Sequence, residues 1–560
     1  MLSKLNVEGR AWLDRRAKKK LAGVLLIGLL ATALALPASG VPKDRGPARV
    51  ESGLLKHVSQ SVATRYFIEH PDQAPSDLQS RFSSLNEAAE RASGAAVGPG
   101  AVVSKLFNKD IFGLPQNEES VSACVNRPRV VLGSTNDYRG LLDPQGNFTG
   151  WHLSTNAGRS VRNEGLLPPV AIGGNQVPSG GDPVDVLAEN CSAAFASSLN
   201  YDPVDPFHNA NGIGLYRSTP TRLANCPGGA APSCWPVRRA VATAEPGHFL
   251  DKEWFDYGRS GSAGNVVWAV FADFAIDDAA PLGFTGAEIK AVRCDAHLNA
   301  CTEQILISGD DLDTQFADVT IAPDGRTYVS WTEIEGELEG TAQTFTHKLR
   351  VAPPGSTDFG PTRVVFRETR AIPFGGSLHA NDFRVATYPK NEVADHNGDN
   401  RVYLTWEACR ARLLDTICEE PEIKLTYSDN DGRTWTRPKT VSAGGDNYFP
   451  TIAADPSGNR VAVAYFTNRR DAIFDNRQDV ELATLTEGAT VTNRQYVTPL
   501  SNESEADPLL GGFFIGDYIE VFAHNGVVYT HFNANYRNIK LLGEGFPVPQ
   551  QDNYLDRRKL

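Results

Sequence analysis

From about residue 118 onward one pattern recurs: a short β-branched or aromatic run, a turn of Asp, Asn, Pro and Gly, and a second such run. Its clearest copy is Tyr448-Phe449-Pro450-Thr451-Ile452-Ala453-Ala454-Asp455-Pro456-Ser457-Gly458, followed by Val461 to Phe466. Phe316 to Gly325 with Tyr328 to Trp331 repeats it. So do Phe383 to Pro389 with Val402 to Trp406, Ile515 to Gly526 with Val527 to Phe532, and Trp254 to Tyr257 with Val266 to Phe271. Weaker copies begin near Arg129 and Val184. Period-two runs closed by turn residues are hairpins, and a hairpin repeated at a fixed interval cannot bury its own faces. Radial stacking of such units solves that and hides the sheet edges.

The anchors Phe255, Val319, Arg384, Ile452 and Ile519 lie about 65 residues apart, longer than the ~40–50 residues of a compact blade. The reading is therefore an all-β chain: a β-propeller of seven four-stranded blades with long loops, or of six if the weak second unit is an insertion. The last unit lacks a clear second hairpin and calls for a closing strand from the N-terminal side. The propeller is placed at 118–545 and a C-terminal tail at 546–560. Upstream, Leu54, Leu55, Val58, Val62 and Ala63 recur at helical spacing, so 51–110 reads as a short helical preface or propeptide.

Residues 1–35 carry a basic stretch (Arg15, Arg16, Lys18, Lys19, Lys20), an apolar run from Leu21 to Ala35 and a small-residue cleavage site, the layout of a signal peptide. Residues 36–50 read as a linker. Cleavage would remove seven Lys/Arg and two Asp/Glu, taking the net charge from −13 to near −18. So acidic a chain argues against nucleic acid as partner and against an anionic membrane after signal cleavage. A secreted or periplasmic monomer is expected. Eight cysteines in an exported chain imply disulfides, and three pairs are close in sequence: Cys226/Cys234, Cys294/Cys301 and Cys409/Cys418. Cys124/Cys191 is left by elimination.

The stretch Ser428-Asp429-Asn430-Asp431-Gly432-Arg433-Thr434-Trp435 resembles the Asp-box, Ser-x-Asp-x-Gly-x-Thr-Trp, with Asn430 in the Asp position. Ser154 to Ser160 is a degraded copy. In such a turn the short polar side chains bond nearby backbone, Gly supplies the unusual backbone angle and Trp packs between sheets, so Ser428, Asn430, Gly432, Thr434 and Trp435 are structural residues. With the repeat, this resembles the bacterial BNR-repeat, sialidase-like secreted proteins over residues 118–545.

The resemblance implies that the Asp-box joins strands three and four of a blade. Entries to first strands and exits from second strands then share the opposite face, where sialidase-like propellers hold substrate. It further implies an exo-acting glycoside hydrolase on sialylated or related glycans, with no cofactor and no obligatory metal. A non-catalytic glycan- or protein-binding propeller is the alternative. A sialidase uses three arginines on the substrate carboxylate, an acid and a tyrosine activated by a glutamate. The candidates are Asp137 as acid, Tyr518 as nucleophile (Tyr536 the other choice) and Glu407 as its partner (Glu333 the other choice). Arg129, Arg139, Asp251, Lys252, Arg384, Arg469, Arg470, Asp517 and Arg537 are the binding candidates. The Arg-Ile-Pro signature of true sialidases is absent; the nearest string is Arg370-Ala371-Ile372-Pro373. Asp395 to Asn400 has some likeness to a calcium loop, yet reads better as a hairpin turn. Asn147-Phe148-Thr149 fits a glycosylation sequon.

Overall fold

The computed structural model describes residues 52–92, 106–336, 343–373, 376–413, 417–456 and 459–560. The signal and linker readings lie outside these residues, as do parts of the preface and of the Asp455–Gly458 turn.

Each repeated hairpin becomes the inner half of an antiparallel sheet, and the chain then meanders outward. Blade 1 is Gln116–Ala123, Val131–Asp137, Thr149–Ser154 and Asn163–Leu166. Blade 2 starts on two short pieces, Ser179–Gly181 and Asp185–Leu187, and continues through Ala194–Asn200, Gly212–Ser218 and Val237–Thr243. Blades 3, 4 and 6 begin at His248–Arg259, Thr314–Ile321 and Asn447–Ala454, each with three further strands. Blade 5 begins at Lys390–His396, beyond the Phe383–Pro389 run that the sequence suggested. Blade 7 is Glu520–His524, Val527–Ile539 and Val548–Lys559. Seven blades follow, not six.

The expected tail is thus a strand. Val548–Lys559 pairs with Val527–Ile539 along nearly its whole length, and its polar composition had hidden it. Blade 7 still takes an edge from the N-terminal side. Leu106 bridges Tyr554, and the Phe107 N–H donates to the Asn553 carbonyl at 3.0 Å. The ring closes where the inner strands of blades 7 and 1 meet, with Glu520 accepting from the Val121 N–H at 2.7 Å.

Apolar residues fill the space between blades. Trp268, Trp331 and Trp406 are fully buried, as befits core rather than sugar platforms. All four disulfides form: Cys124–Cys191, Cys226–Cys234, Cys294–Cys301 and Cys409–Cys418.

The end of the blades that carries the turns is held by local polar bonds. The Ser428 hydroxyl accepts from the Gly432 N–H (2.8 Å), and the Asn430 side-chain oxygen accepts from the Thr434 N–H (2.9 Å). Gly432 has φ +81°, a value its missing Cβ permits. Trp435 donates to the Gly432 carbonyl and packs beside Leu349 and Trp406. Ser154 and Asn156 make the same bonds to Gly158 and Ser160, so the degraded copy folds as its parent does. Asp395 to Asn400 is the two-residue Asn397-Gly398 hairpin turn, both residues at positive φ. Asn147 is fully buried, which closes the sequon to modification.

The preface forms helices α1 (Ser52–His57), α2 (Gln60–Glu69) and α3 (Gln79–Ala92). No helix among the described residues is long and apolar enough to cross a membrane. Leu54, Leu55, Val58, Val62 and Tyr66 pack on Tyr201, Phe207, Phe249 and Leu250 of blades 2 and 3. Ile68, Leu78, Phe82 and Leu85 pack with Tyr138, Phe148, Leu509 and Leu510 near blades 1 and 7. The helices therefore form a strap across one end of the ring.

Candidate functional site

The mouth under the strap is shaped by a kink repeated at the start of the inner strands. Glu118, Asp182, Lys252, Phe316 and Phe449 all have φ between +51° and +58°, and Gly516 has +95°. In blades 1, 3, 4 and 6 the ladder register shifts at this point. A bulge there bends the strand and re-aims its side chains, and each left-handed non-glycine residue costs about 1–2 kcal/mol. Pro183 and Pro450 follow the kink in blades 2 and 6, and Pro389 immediately precedes the first strand of blade 5, positions where the missing N–H is not needed.

The kinks turn a ring of residues toward the axis. Asp182, Lys252, Phe316, Tyr388, Phe449 and Asp517 line one cavity together with Glu253, Trp254, Lys390 and Tyr518. The cavity among them is about 50 Å³. Tyr388 stacks on Phe449 at 5.7 Å, and Lys252 lies over the rings of Phe316 and Tyr388. Lys390 lies over Trp254.

The charges are unequal. The Arg384 guanidinium holds both oxygens of Asp517 (Nε to Oδ1 3.0 Å), and Lys252 Nζ lies 3.3 Å from Oδ2. Burial works to raise the Asp517 carboxyl, but these two cations overcome it and hold it well below the usual carboxylate range. Asp251 is pushed up to about 7 by burial, with Lys252 opposing and Asp182 adding to the rise. Glu253 is driven well up by burial and by Asp182 and Asp251, and it accepts no hydrogen bond of ordinary geometry among the described residues. Glu118 braces the group: its carboxylate accepts from the Asp517 N–H (3.1 Å) and from Asn136 (2.7 Å).

The link between α1 and α2 enters this mouth. The Ser59 N–H donates to Asp251 Oδ2 at 2.6 Å, and the Gln60 N–H to Asp517 Oδ2 at 3.3 Å. The hydroxyls of Ser59 (2.6 Å) and Ser61 both donate to Asp182 Oδ1. Arg384 in turn donates to the carbonyls of Lys56 (2.9 Å) and Val58 (2.8 Å).

Of the residues selected from sequence, Asp251, Lys252, Arg384 and Asp517 meet here, and Tyr518 lines the cavity. The others fall elsewhere. Arg129 lies in the turn between Gln116–Ala123 and Val131–Asp137, exposed at the opposite end of the blade, because strand one starts earlier than its motif suggested. Asp137 is fully buried and gripped by Arg139 (Nε to Oδ1 2.9 Å), which also holds Glu164 at 2.6 Å, so neither end of this pair is free for substrate. Arg537 is buried against Asp552 (2.9 Å) and the Asp110 carbonyl (2.6 Å). Arg469 and Arg470 pair with Glu481 and Asp479 on the outer half of blade 6. The three-arginine set does not assemble.

The tyrosine assignment changes too. The Tyr518 hydroxyl donates to the Pro183 carbonyl at 2.8 Å, and burial with Glu118, Asp182, Glu253 and Glu520 drives its pKa well up, which opposes a phenolate nucleophile. Tyr536 donates to the Leu500 carbonyl. Glu407 lies behind Tyr388, accepting its backbone N–H at 3.2 Å, and burial pushes its carboxyl up to about 8. Glu118, Glu253, Tyr388 and the aromatic collar join the site without having stood out in the sequence. The recurring Asp182-Pro183, Tyr388-Pro389 and Phe449-Pro450 pairs at one repeat position were the available signal.

Strand pairing and ring closure define a seven-bladed β-propeller with an acid-lined axial mouth. No family model matches the sequence, and no curated protein matches it. Among solved structures the chain is similar to the Hadza microbial sialidase Hz136 (11% identity, 72% of this chain and 73% of that one, TM-score 0.40). It is also similar to the polysaccharide lyase Uly1 (11%, 84% and 95%, 0.42) and to an alpha-L-arabinanase of Penicillium chrysogenum complexed with arabinobiose (10%, 66% and 94%, 0.39). The architecture rests on the strand pairing described above, not on these likenesses.

Proposed function

We propose that this chain is a carbohydrate-acting propeller of glycoside-hydrolase type, and that its ligand is a neutral sugar rather than a sialoside. One observation carries the reading: Asp182, Asp251 and Asp517, from blades 2, 3 and 7, converge on three consecutive residues, Ser59 to Ser61. Carboxylates so gathered accept hydrogen bonds from several hydroxyls at once. Their environments push two of them apart, which is the condition for an acid and an ionised partner in one site. Asp251, protonated up to about pH 7, is the proton donor to the leaving oxygen. Asp517 is the ionised partner, and Arg384 and Lys252 position it. Arg384 is the one arginine among the sequence candidates at this mouth, and it is already paired. That disfavours a substrate carboxylate.

Binding without catalysis is the second reading, favoured by the two cations on Asp517 that blunt it as base or nucleophile. The test is a panel of fluorogenic neutral glycosides with a sialoside, on the intact chain and on a Ser59→Asp/Ser61→Asp chain. The expected result is release from a neutral glycoside, about 100-fold slower with Asp251→Asn and falling as pH rises past 7. Turnover of the sialoside alone, or full activity with Asp251→Asn, overturns the assignment. No turnover in either chain leaves glycan binding as the function to measure.

A further inference from the structure

The strap does more than cross the ring. Val58, Ser59 and Ser61 are completely buried, and Gln60 nearly so. Between them Lys56 to Ser61 present two hydroxyls and two N–H donors to three carboxylates, and two carbonyl acceptors to Arg384. A bound polyol would offer the same functions, since its hydroxyls donate to carboxylates and accept from a guanidinium. The cavity that Asp182 and Asp517 line while they bond the strap, about 50 Å³, is far below the ~300–1,000 Å³ of ordinary small-ligand clefts.

We propose that Lys56–Ser61 is a built-in occupant of the ligand site, a mimic of a polyhydroxylated ligand that keeps the propeller latent until the strap withdraws. The identity of the displaced ligand rests on the glycan reading above; the closure does not. Withdrawal cannot be casual. Leu54, Leu55, Val58, Val62 and Tyr66 are packed into the largest apolar cluster, so the open state is a minor one and needs displacement or removal of the strap. Asp182 and Arg384 become specificity residues, because they read the two hydroxyls and the two carbonyls of the mimic.

The experiment uses a thiol in place of Ala317, which lines the cavity and is buried. All eight native cysteines are in disulfides, so Ala317→Cys gives a single reactive group. Alkylation by iodoacetamide and amide exchange at Gln60 and Ser61 are measured on the same intact chain. If the strap gates the cavity, both report one opening, and their protection factors agree within about three-fold. Ser59→Asp/Ser61→Asp, which sets carboxylates against Asp182 and Asp251, should speed both by roughly ten-fold or more. Alkylation of the intact chain at the rate of a free thiol overturns the proposal. So does faster amide exchange without faster alkylation. Should the double variant fail to fold, the intact-chain comparison decides alone. An opened chain that turns over no glycoside counts against the catalytic reading and leaves the closure standing.

Discussion

The two ends of the blades are built on different principles. At the turn end, order comes from neighbours in sequence: Ser428 and Asn430 bond groups four residues away, and Ser154 and Asn156 do the same. At the mouth, order comes from far away. Gln60 meets Asp517, Glu118 meets Asp517, and Arg384 meets Lys56 and Val58. Positive φ falls on Gly432 and Gly398 and on the turn residues Asp431, Asn397 and Ala157 at one end, and on Glu118, Asp182, Lys252, Phe316 and Phe449 at the other. At the turn end the left-handed angle belongs to glycines and to short residues inside tight, locally bonded turns. At the mouth, where long charged and aromatic residues take it, surrounding contacts must hold them there, and such residues cluster at functional sites. The difference teaches that a polar turn can be conserved in form through local bonding alone, as the degraded Ser154 copy shows, whereas the mouth exists only once the ring has closed.

Substitutions that separate the ends sharpen this contrast. The largest effect is expected at Arg384. Arg384→Ala leaves Asp517 buried with only Lys252 and frees the Lys56 and Val58 carbonyls, at a cost of about 3–5 kcal/mol in denaturant unfolding. A loss under about 1 kcal/mol would mean that long-range pairing at the mouth is incidental.

Next comes pH. Glu407 has its carboxyl raised to about 8 in the folded chain, so the folded state holds the proton that the unfolded state releases. Its contribution is fully present below the unfolded value of about 4.3 and is lost as pH rises toward 8, on the order of 1 kcal/mol per pH unit. Melting followed from pH 5 to 8 should show this decline, and Glu407→Gln should flatten it. An unchanged slope would place the linkage in other buried carboxyls, such as Glu392 and Glu520, both also raised to about 8.

The smallest effect belongs to the turn end. Ser428→Ala and Ser154→Ala should each cost about 1 kcal/mol, seen as a shift in melting midpoint, with no change in the alkylation rate of a cavity thiol. A faster alkylation would break the comparison, because it would couple the two ends.

The same division explains what could be read in advance. The hairpins, the Asn397-Gly398 turn, the short-range disulfides and the Ser428 turn are local, and local pattern reveals them. Val548–Lys559 escaped because a strand rich in Gln, Asp and Arg has no apolar alternation to betray it. Arg139 and Arg537 looked like substrate arginines because strand ends are polar. Arg139 pairs with Asp137 two residues away, but its second partner Glu164 and the Arg537 partner Asp552 lie on other strands and cannot be paired from sequence spacing. Asp251, Lys252, Arg384 and Asp517 were reachable by topology. Glu118 and Glu253 were not, since each lies at or just after a kink, and a bulge shifts the side-chain alternation by one residue.

The edge contact made by Leu106 and Phe107 has a further consequence for how the chain could be processed. These residues lie downstream of α3 and upstream of the first inner strand, and they grip the outer edge of blade 7. The clasp of the ring therefore belongs to the same stretch of chain as the ring, while the strap precedes it. A single cut between Ala92 and Leu106 would leave the stopper held by its packing and hydrogen bonds alone, free to be drawn with the vessel's seam intact.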